Sequence, residues 1–168
     1  MDEIFNPVEK KKGVNKVFIV AIVVGIAVIA GIIGVLSLRP SMQEQQDRLL
    51  AGAHREGSPD FAELSKDIVI WTDDKTVESP TGMGTISMYI TGNVRNKGTH
   101  NITVLEVKVS VVTQFNEVLQ ERRMLVVPIQ EAVLGPDETI KITITLDGFS
   151  KEDDRANIRW KVTAIKAE

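Results

Sequence analysis

His54 and His100 are the two imidazoles of the chain, and there is no cysteine, so metal or general-base chemistry would have to start from them. A transition-metal site needs further His or Cys at short, regular spacing, and neither histidine has such a neighbour in the sequence. Nucleophilic catalysis fares no better. Ser87 and Ser110 fall in strand-like segments without a G-x-S-x-G elbow or a base placed to activate them. Asp73-Asp74 and Glu152-Asp153-Asp154 lack the ligand spacing and glycine of a calcium loop, and are expected as solvated loops. Asn101-Ile102-Thr103 fits the glycosylation triplet, which matters only in a host that modifies exported proteins. Trp71 and Trp160 are expected as core anchors rather than stacking platforms, since Trp160 falls on an apolar face. No nucleophile, base or metal constellation emerges. The expectation is a protein without enzymatic activity, with no catalytic residues, no metal ligands and no cofactor.

The element that must position everything else is an apolar run. Val17 to Leu36 are twenty residues without a charge, preceded by Lys10, Lys11, Lys12 and Lys16 and followed by Arg39 and Pro40. At about 1.5 Å of rise per residue, a helix of that length matches the roughly 30 Å hydrocarbon core of a bilayer. A cleaved signal peptide has a shorter apolar region, and a buried helix of this kind needs more protein around it than the chain supplies. An uncleaved signal anchor is the better reading. The four lysines before the span place the N-terminus in the cytoplasm and the C-terminal part in the periplasm or outside the cell. The sequence therefore divides into a cytoplasmic tail (1–16), a single-pass transmembrane helix (17–38), a helical stalk or linker (39–60) and an exported domain (61–168). Within the span, Ala27, Gly31 and Gly34 share a face on which another helix could approach closely.

The residues after the apolar run retain 16 of the 20 Lys and Arg and 20 of the 23 Asp and Glu, which leaves no basic stripe to displace phosphate counterions. Nucleic acid is excluded as a partner; membrane lipid and other membrane protein subunits are the expected ones. The stalk is rich in helix formers from Gln43 to Ala51, with Gly52 and Gly57 able to end it. From Asp67 onward the period changes to two. Ile86, Met88, Ile90, Gly92 and Val94 share a face, as do Leu105, Val107, Val109, Val111 and Phe115. Ile140, Ile142, Ile144 and Leu146 form a third such set, and Ile158, Trp160, Val162 and Ala164 a fourth. Asn116-Glu117 and Leu134-Gly135-Pro136-Asp137-Glu138 read as turns. Strands buried on one face only mean antiparallel sheets packed on each other. The predicted fold is mainly β: one N-terminal transmembrane helix plus a small immunoglobulin-like antiparallel β-sandwich.

From Gly92-Asn93-Val94-Arg95-Asn96 through the valine-rich strand Val107 to Val111, Phe115-Asn116 and the Leu134 to Glu138 turn, the chain resembles exported domains of the FxLYD type. Phe115-Asn116 stands where that family carries tyrosine-aspartate, and Ile140 where it prefers phenylalanine. The resemblance implies a non-catalytic, membrane-tethered module with no common ligand or active site, so it assigns no functional residue. The interaction surface expected from the sequence itself is the edge strand Val118 to Val127 and its continuation. There Arg122, Arg123, Val126, Val127 and Ile129 are the candidate partner-facing residues. The expected role is an accessory subunit bracing the exported face of a respiratory, photosynthetic or secretory complex. The alternative is a tethered binding module for an exported peptide, polysaccharide or small ligand, using loops near Trp71 to Asp74.

Overall fold

The computed structural model describes residues 16–37 and 41–168; the tail expected over 1–15, and the end of the expected span at Leu38, lie outside the described residues. The chain forms two compact units, Met1–Glu44 and Gln45–Glu168.

In the first unit, the apolar run forms helix α1 (Lys16–Ser37), 22 residues of which the valines and isoleucines are exposed wherever their side chains are described. Among the described residues, no helix is long and apolar enough to cross a membrane. Helix α2 (Met42–Leu50) begins at a reciprocal cap. The Glu44 amide donates to the Ser41 hydroxyl at 3.1 Å, and the Ser41 amide donates to the Glu44 carboxylate at 3.0 Å.

The second unit continues with β1 (His54–Arg55), α3 (Pro59–Ser65), β2 (Ile68–Thr72), β3 (Val77–Pro80), β4 (Ile86–Asn96), β5 (Ile102–Val112), β6 (Val118–Val127), β7 (Thr139–Phe149) and β8 (Asn157–Ala167). One sheet has the order β1-β8-β5-β6. In the other, β7 pairs β4 along nearly its whole length, so β2 and β3 share the opposite edge of β4. All pairings are antiparallel. The alternating residues read from the sequence point between the sheets. Val94, Ile140 and Ile142 of one meet Leu105, Val107, Val126, Val127 and Ile165 of the other, while Ile90, Val109, Val111 and Phe149 continue the core toward the far end.

The residues that carried the FxLYD resemblance have structural tasks here. A Cβ at Gly92 would stand 2.8 Å from Cζ2 of Trp160, so glycine is what lets the indole lie on β4. Val94 is fully buried. Asn96, only 1% exposed, donates from Nδ2 to the carbonyls of His100, Leu134 and Gly135 and accepts from the Gly98 amide. It ties the loop after β4 to the turn before β7.

Three sequence expectations change. Phe115 is 76% exposed, because β5 ends at Val112 and Phe115 sits at the tip of a turn closed by Thr113 and Glu117, with Asn116 at φ 68°. Trp71 is 42% exposed: it lies on the outer face of β2, opposite Asn93, whereas Trp160 packs between the sheets and donates from Nε1 to the Thr72 hydroxyl at 2.9 Å. Of the stalk expected over 39–60, residues 45–60 fall in the same compact unit as the two sheets. Leu50 packs on Val104, Leu125 and Ala164, and His54-Arg55 pair with Ile165 and Ala164 of β8.

Candidate functional site: the two sides of the sandwich

Several of the polar groups singled out in the sequence are held in structural hydrogen bonds. Ser87 donates to Asp147 at 2.5 Å, and Ser110 to Glu121 at 3.4 Å, and among the described residues neither has an imidazole within hydrogen-bond reach. Asp73 accepts from the Lys75 amide and Asp153 from the Ser150 amide, each stapling its own turn, while Asp154 accepts from the Gln114 amide and ties two loops together. Among the described residues no group of three or more His, Asp or Glu could hold a metal ion. Asn101 is exposed, its backbone paired with Glu168, while the Thr103 hydroxyl is buried without a partner. Ala27, Gly31 and Gly34 are exposed on α1, and a Cβ added at Gly31 or Gly34 would meet nothing within 4 Å.

One convergence escaped the sequence reading. Both histidines line a cleft of about 400 Å³ with Asp60, Glu63, Asp67 and Glu168, and His54 Nδ1 stands 3.3 Å from the Asp60 carboxylate. Linear spacing could not show this, since α3 brings Asp60 to β1 while the loop after β4 delivers His100.

The two open sides of the sandwich differ sharply. On the β6/β7 side, Gln130 imitates a strand residue: its Nε2 donates to the Thr143 carbonyl at 2.9 Å, and the Thr143 amide donates to its Oε1 at 3.2 Å. Arg122 Nη1 adds a bond to the Thr145 carbonyl at 3.1 Å. These contacts use the free edge of β7 and so close it to strand addition. They also revise the expected partner-facing edge. Val126 and Val127 are fully buried and cannot face a partner; Arg123 and Ile129 are exposed, and Arg122, also exposed, spends one guanidinium nitrogen on β7. Valines at the end of β6 turn inward because a register shift between Leu105 and Glu106 brings both into the core.

On the β2/β8 side the sandwich gapes. β1 covers β8 only at Ala164 and Ile165. Among the described residues no strand pairs the outer edge of β8 from 157 to 163, nor that of β2. Between the two edges lies a groove of about 430 Å³ lined by Phe61, Ile68, Val69, Ile70, Trp160 and Val162, with Ser65 and Lys161 as its polar members. Helix α3 roofs one end of it. Its N-cap Ser58 accepts from the Phe61 amide at 3.2 Å, and Pro59 starts the first turn, which together aim Phe61 into the groove. Trp160 and Thr72 bridge the other end.

Beside the groove, the outer face of the β8 sheet carries Lys161 and Lys108 in register, with Arg159 opposite Ser110 and Arg123 opposite Lys108. Lys161 Nζ reaches the Glu56 carboxylate at 2.6 Å and Lys108 Nζ reaches Glu121 at 3.0 Å. The hydrogen bond from each lysine is the main reason that Glu56 and Glu121 ionise below the ordinary range of glutamate. A shallow depression of about 310 Å³ opens between Lys108, Arg159 and Lys161.

No family model matches the chain, and no curated protein matches it. Among solved structures it is similar to one assigned provisionally to ApaA of Bordetella pertussis, at 24% identity and TM-score 0.35 over 48% of this chain and 67% of that one. It is also similar to Northeast Structural Genomics Consortium target SoR45, at 10% identity and TM-score 0.41 over 62% of this chain and 86% of that one.

Proposed function

We propose that the chain is a non-enzymatic, single-pass membrane protein, with an immunoglobulin-like sandwich that acts as an accessory subunit of a larger membrane protein complex. In this reading α1 spans the bilayer: 22 helical residues rise about 33 Å, enough for the hydrocarbon core. The lysines before it hold the N-terminus in the cytoplasm, and the sandwich stands on the exported side. Ala27, Gly31 and Gly34 form the face of α1 on which a neighbouring subunit's helix packs.

The observation that carries the proposal is the asymmetry of the sandwich. One side is sealed by side-chain bonds from Gln130 and Arg122 to the β7 backbone, while the other keeps an unpaired edge, an apolar groove and flanking cations. That combination suits a protein partner better than catalysis, which needs converging reactive groups. Extraction of the native membrane in a mild detergent is expected to release the protein together with other subunits, in a particle larger than the monomer. Migration alone at monomer mass would remove the basis for the accessory role. Protease added outside intact cells is expected to digest residues 61–168; digestion only from the cytoplasmic side would invert the topology.

A further inference from the structure

We propose that the open edge of β8, from 157 to 163, receives an extended segment of a partner polypeptide in which apolar and acidic residues alternate. The segment adds as an antiparallel strand collinear with β1. This names the kind of partner for the protein-binding reading above and rests on it.

The first argument is that the same edge already accepts an antiparallel strand further along. His54 and Arg55 pair with Ile165 and Ala164, and the residue that follows them, Glu56, delivers a carboxylate to Lys161 at 2.6 Å. The chain then turns away at Gly57, whose φ of 99° is one that other residues rarely adopt, and enters α3. Backbone pairing stops there, although β8 continues to Asn157. A partner strand would carry on where β1 leaves off.

Side-chain alternation sets the chemistry of that strand. Residues of an added strand face alternately to the two sides of the sheet. Those facing inward enter the groove between β2 and β8, against Phe61, Ile68, Ile70 and Trp160, and must be apolar. Those facing outward lie beside Lys161, which Glu56 already engages, and Arg159, whose Nη2 donates to Asn116 Oδ1; carboxylates complement both cations.

A second copy of this chain is a poor occupant. In an antiparallel β8–β8 pair centred on Trp160, Arg159 of each copy stands opposite Lys161 of the other. Centred on residue 159 or 161, the pair sets arginine against arginine or lysine against lysine. Like charges directly opposite each other destabilise a strand pair. The edge of β7 is not an alternative, since Gln130 and Arg122 occupy it.

The test uses the full chain in nanodiscs and a labelled synthetic peptide of about eight alternating valines and glutamates, long enough to cover the open edge. Peptide binding should slow amide exchange at 157–163 and leave Thr143 and Thr145 unchanged. N-methylation of the alternate peptide amides that face β8 should abolish binding, whereas methylation of the other set should not. The double variant Arg159→Glu, Lys161→Glu should bind the peptide about tenfold more weakly and accept a valine–lysine peptide instead. A single Arg159→Gln variant, which leaves the Glu56–Lys161 pair intact, should weaken binding in the same direction. Equal binding of the glutamate and lysine peptides, protection at β6 or β7 rather than β8, or no binding at millimolar peptide would overturn the proposal. Protection at 157–163 that grows with protein concentration alone would assign the edge to a second copy and overturn it too. None of these results touches the topology or the co-extraction experiment, so the two readings fail separately.

Discussion

Replacing Asn96 tests whether this residue is a structural fastener between the loop after β4 and the turn before β7. Its Nδ2 donates to the carbonyls of His100 at 2.8 Å, Gly135 at 3.1 Å and Leu134 at 3.2 Å, and its Oδ1 accepts from the Gly98 amide at 2.9 Å. The acceptors do not suffer equally on its removal. The Leu134 carbonyl keeps the Ile102 amide and that of Gly135 keeps the Glu138 amide, so of the three acceptors the His100 carbonyl depends most on Asn96. Counting about 1 kcal/mol for each of two shared bonds, and somewhat more for an orphaned buried group, Asn96→Ala should cost about 2–4 kcal/mol. Asn96→Asp is the sharper test because the shape is unchanged while the donor becomes a carboxylate aimed at three carbonyl oxygens. Its folded pKa must rise above the unfolded value of about 3.9, so the protonated form supplies stability below that value, lost as pH rises through the folded pKa. Denaturant titrations of the protein, followed by tryptophan fluorescence, should show Asn96→Asp weaker than Asn96→Ala at pH 7, with the gap closing toward pH 4. An aspartate variant as stable as wild type at neutral pH would refute the assignment of donor and acceptor at this site.

Gly92→Ala places a methyl 2.8 Å from Trp160 and 3.1 Å from the Trp71 carbonyl oxygen, an overpacking expected to cost about 1–3 kcal/mol and to red-shift Trp160 emission. Adding Trp160→Leu should recover part of the loss by denaturant titration; full additivity of the two changes would sink the contact. Gln130→Ala should speed amide exchange at Thr143 and cost about 1 kcal/mol per lost bond, with concentration-dependent association through the reopened β7 edge visible by sedimentation. Lys108→Met should raise the pKa of Glu121 toward 4.5 in a carboxyl NMR titration. Because the folded pKa of Glu121 is depressed in the wild type, its contribution exists above the ordinary glutamate pKa and fades as pH falls through the lowered one; an unmoved titration would show that Lys108 is not the cause.

The strands were legible because each buries one face, which forces alternation at period two; Ile140 to Leu146 could hardly be read otherwise. Turns were legible where backbone demands a residue type, as at Asp137, whose φ is 58°. What the sequence could not convey was the partner of each edge. Val126 and Val127 looked like a patch beside Arg122 and Arg123, but a register shift turns both valines inward. Gln130 reads as an ordinary loop glutamine, and its service to β7 depends on a crossing between sheets. His54 and His100 likewise meet only through the placement of α3 and the loop after β4.

That division bears on how function can be argued for this chain. Gly92, Val94 and Asn96, the residues on which the sequence expectation of an FxLYD-type domain rested, are all accounted for by packing an indole, filling the core and tying two loops. A sandwich would keep these residues whatever it bound, so the motif holds no information about a ligand. The informative residues are those whose arrangement the fold does not require. Gln130 and Arg122 close one edge at the cost of fixing two long side chains, and edge protection of this kind has a reason only where unwanted strand pairing is a hazard. The same hazard exists along β8, where the edge stays bare beside an apolar groove, with Arg159 and Lys161 guarding against self-pairing alone. A protein that blocks one edge by direct capping and the other only against copies of itself leaves room at the second for a strand of opposite charge.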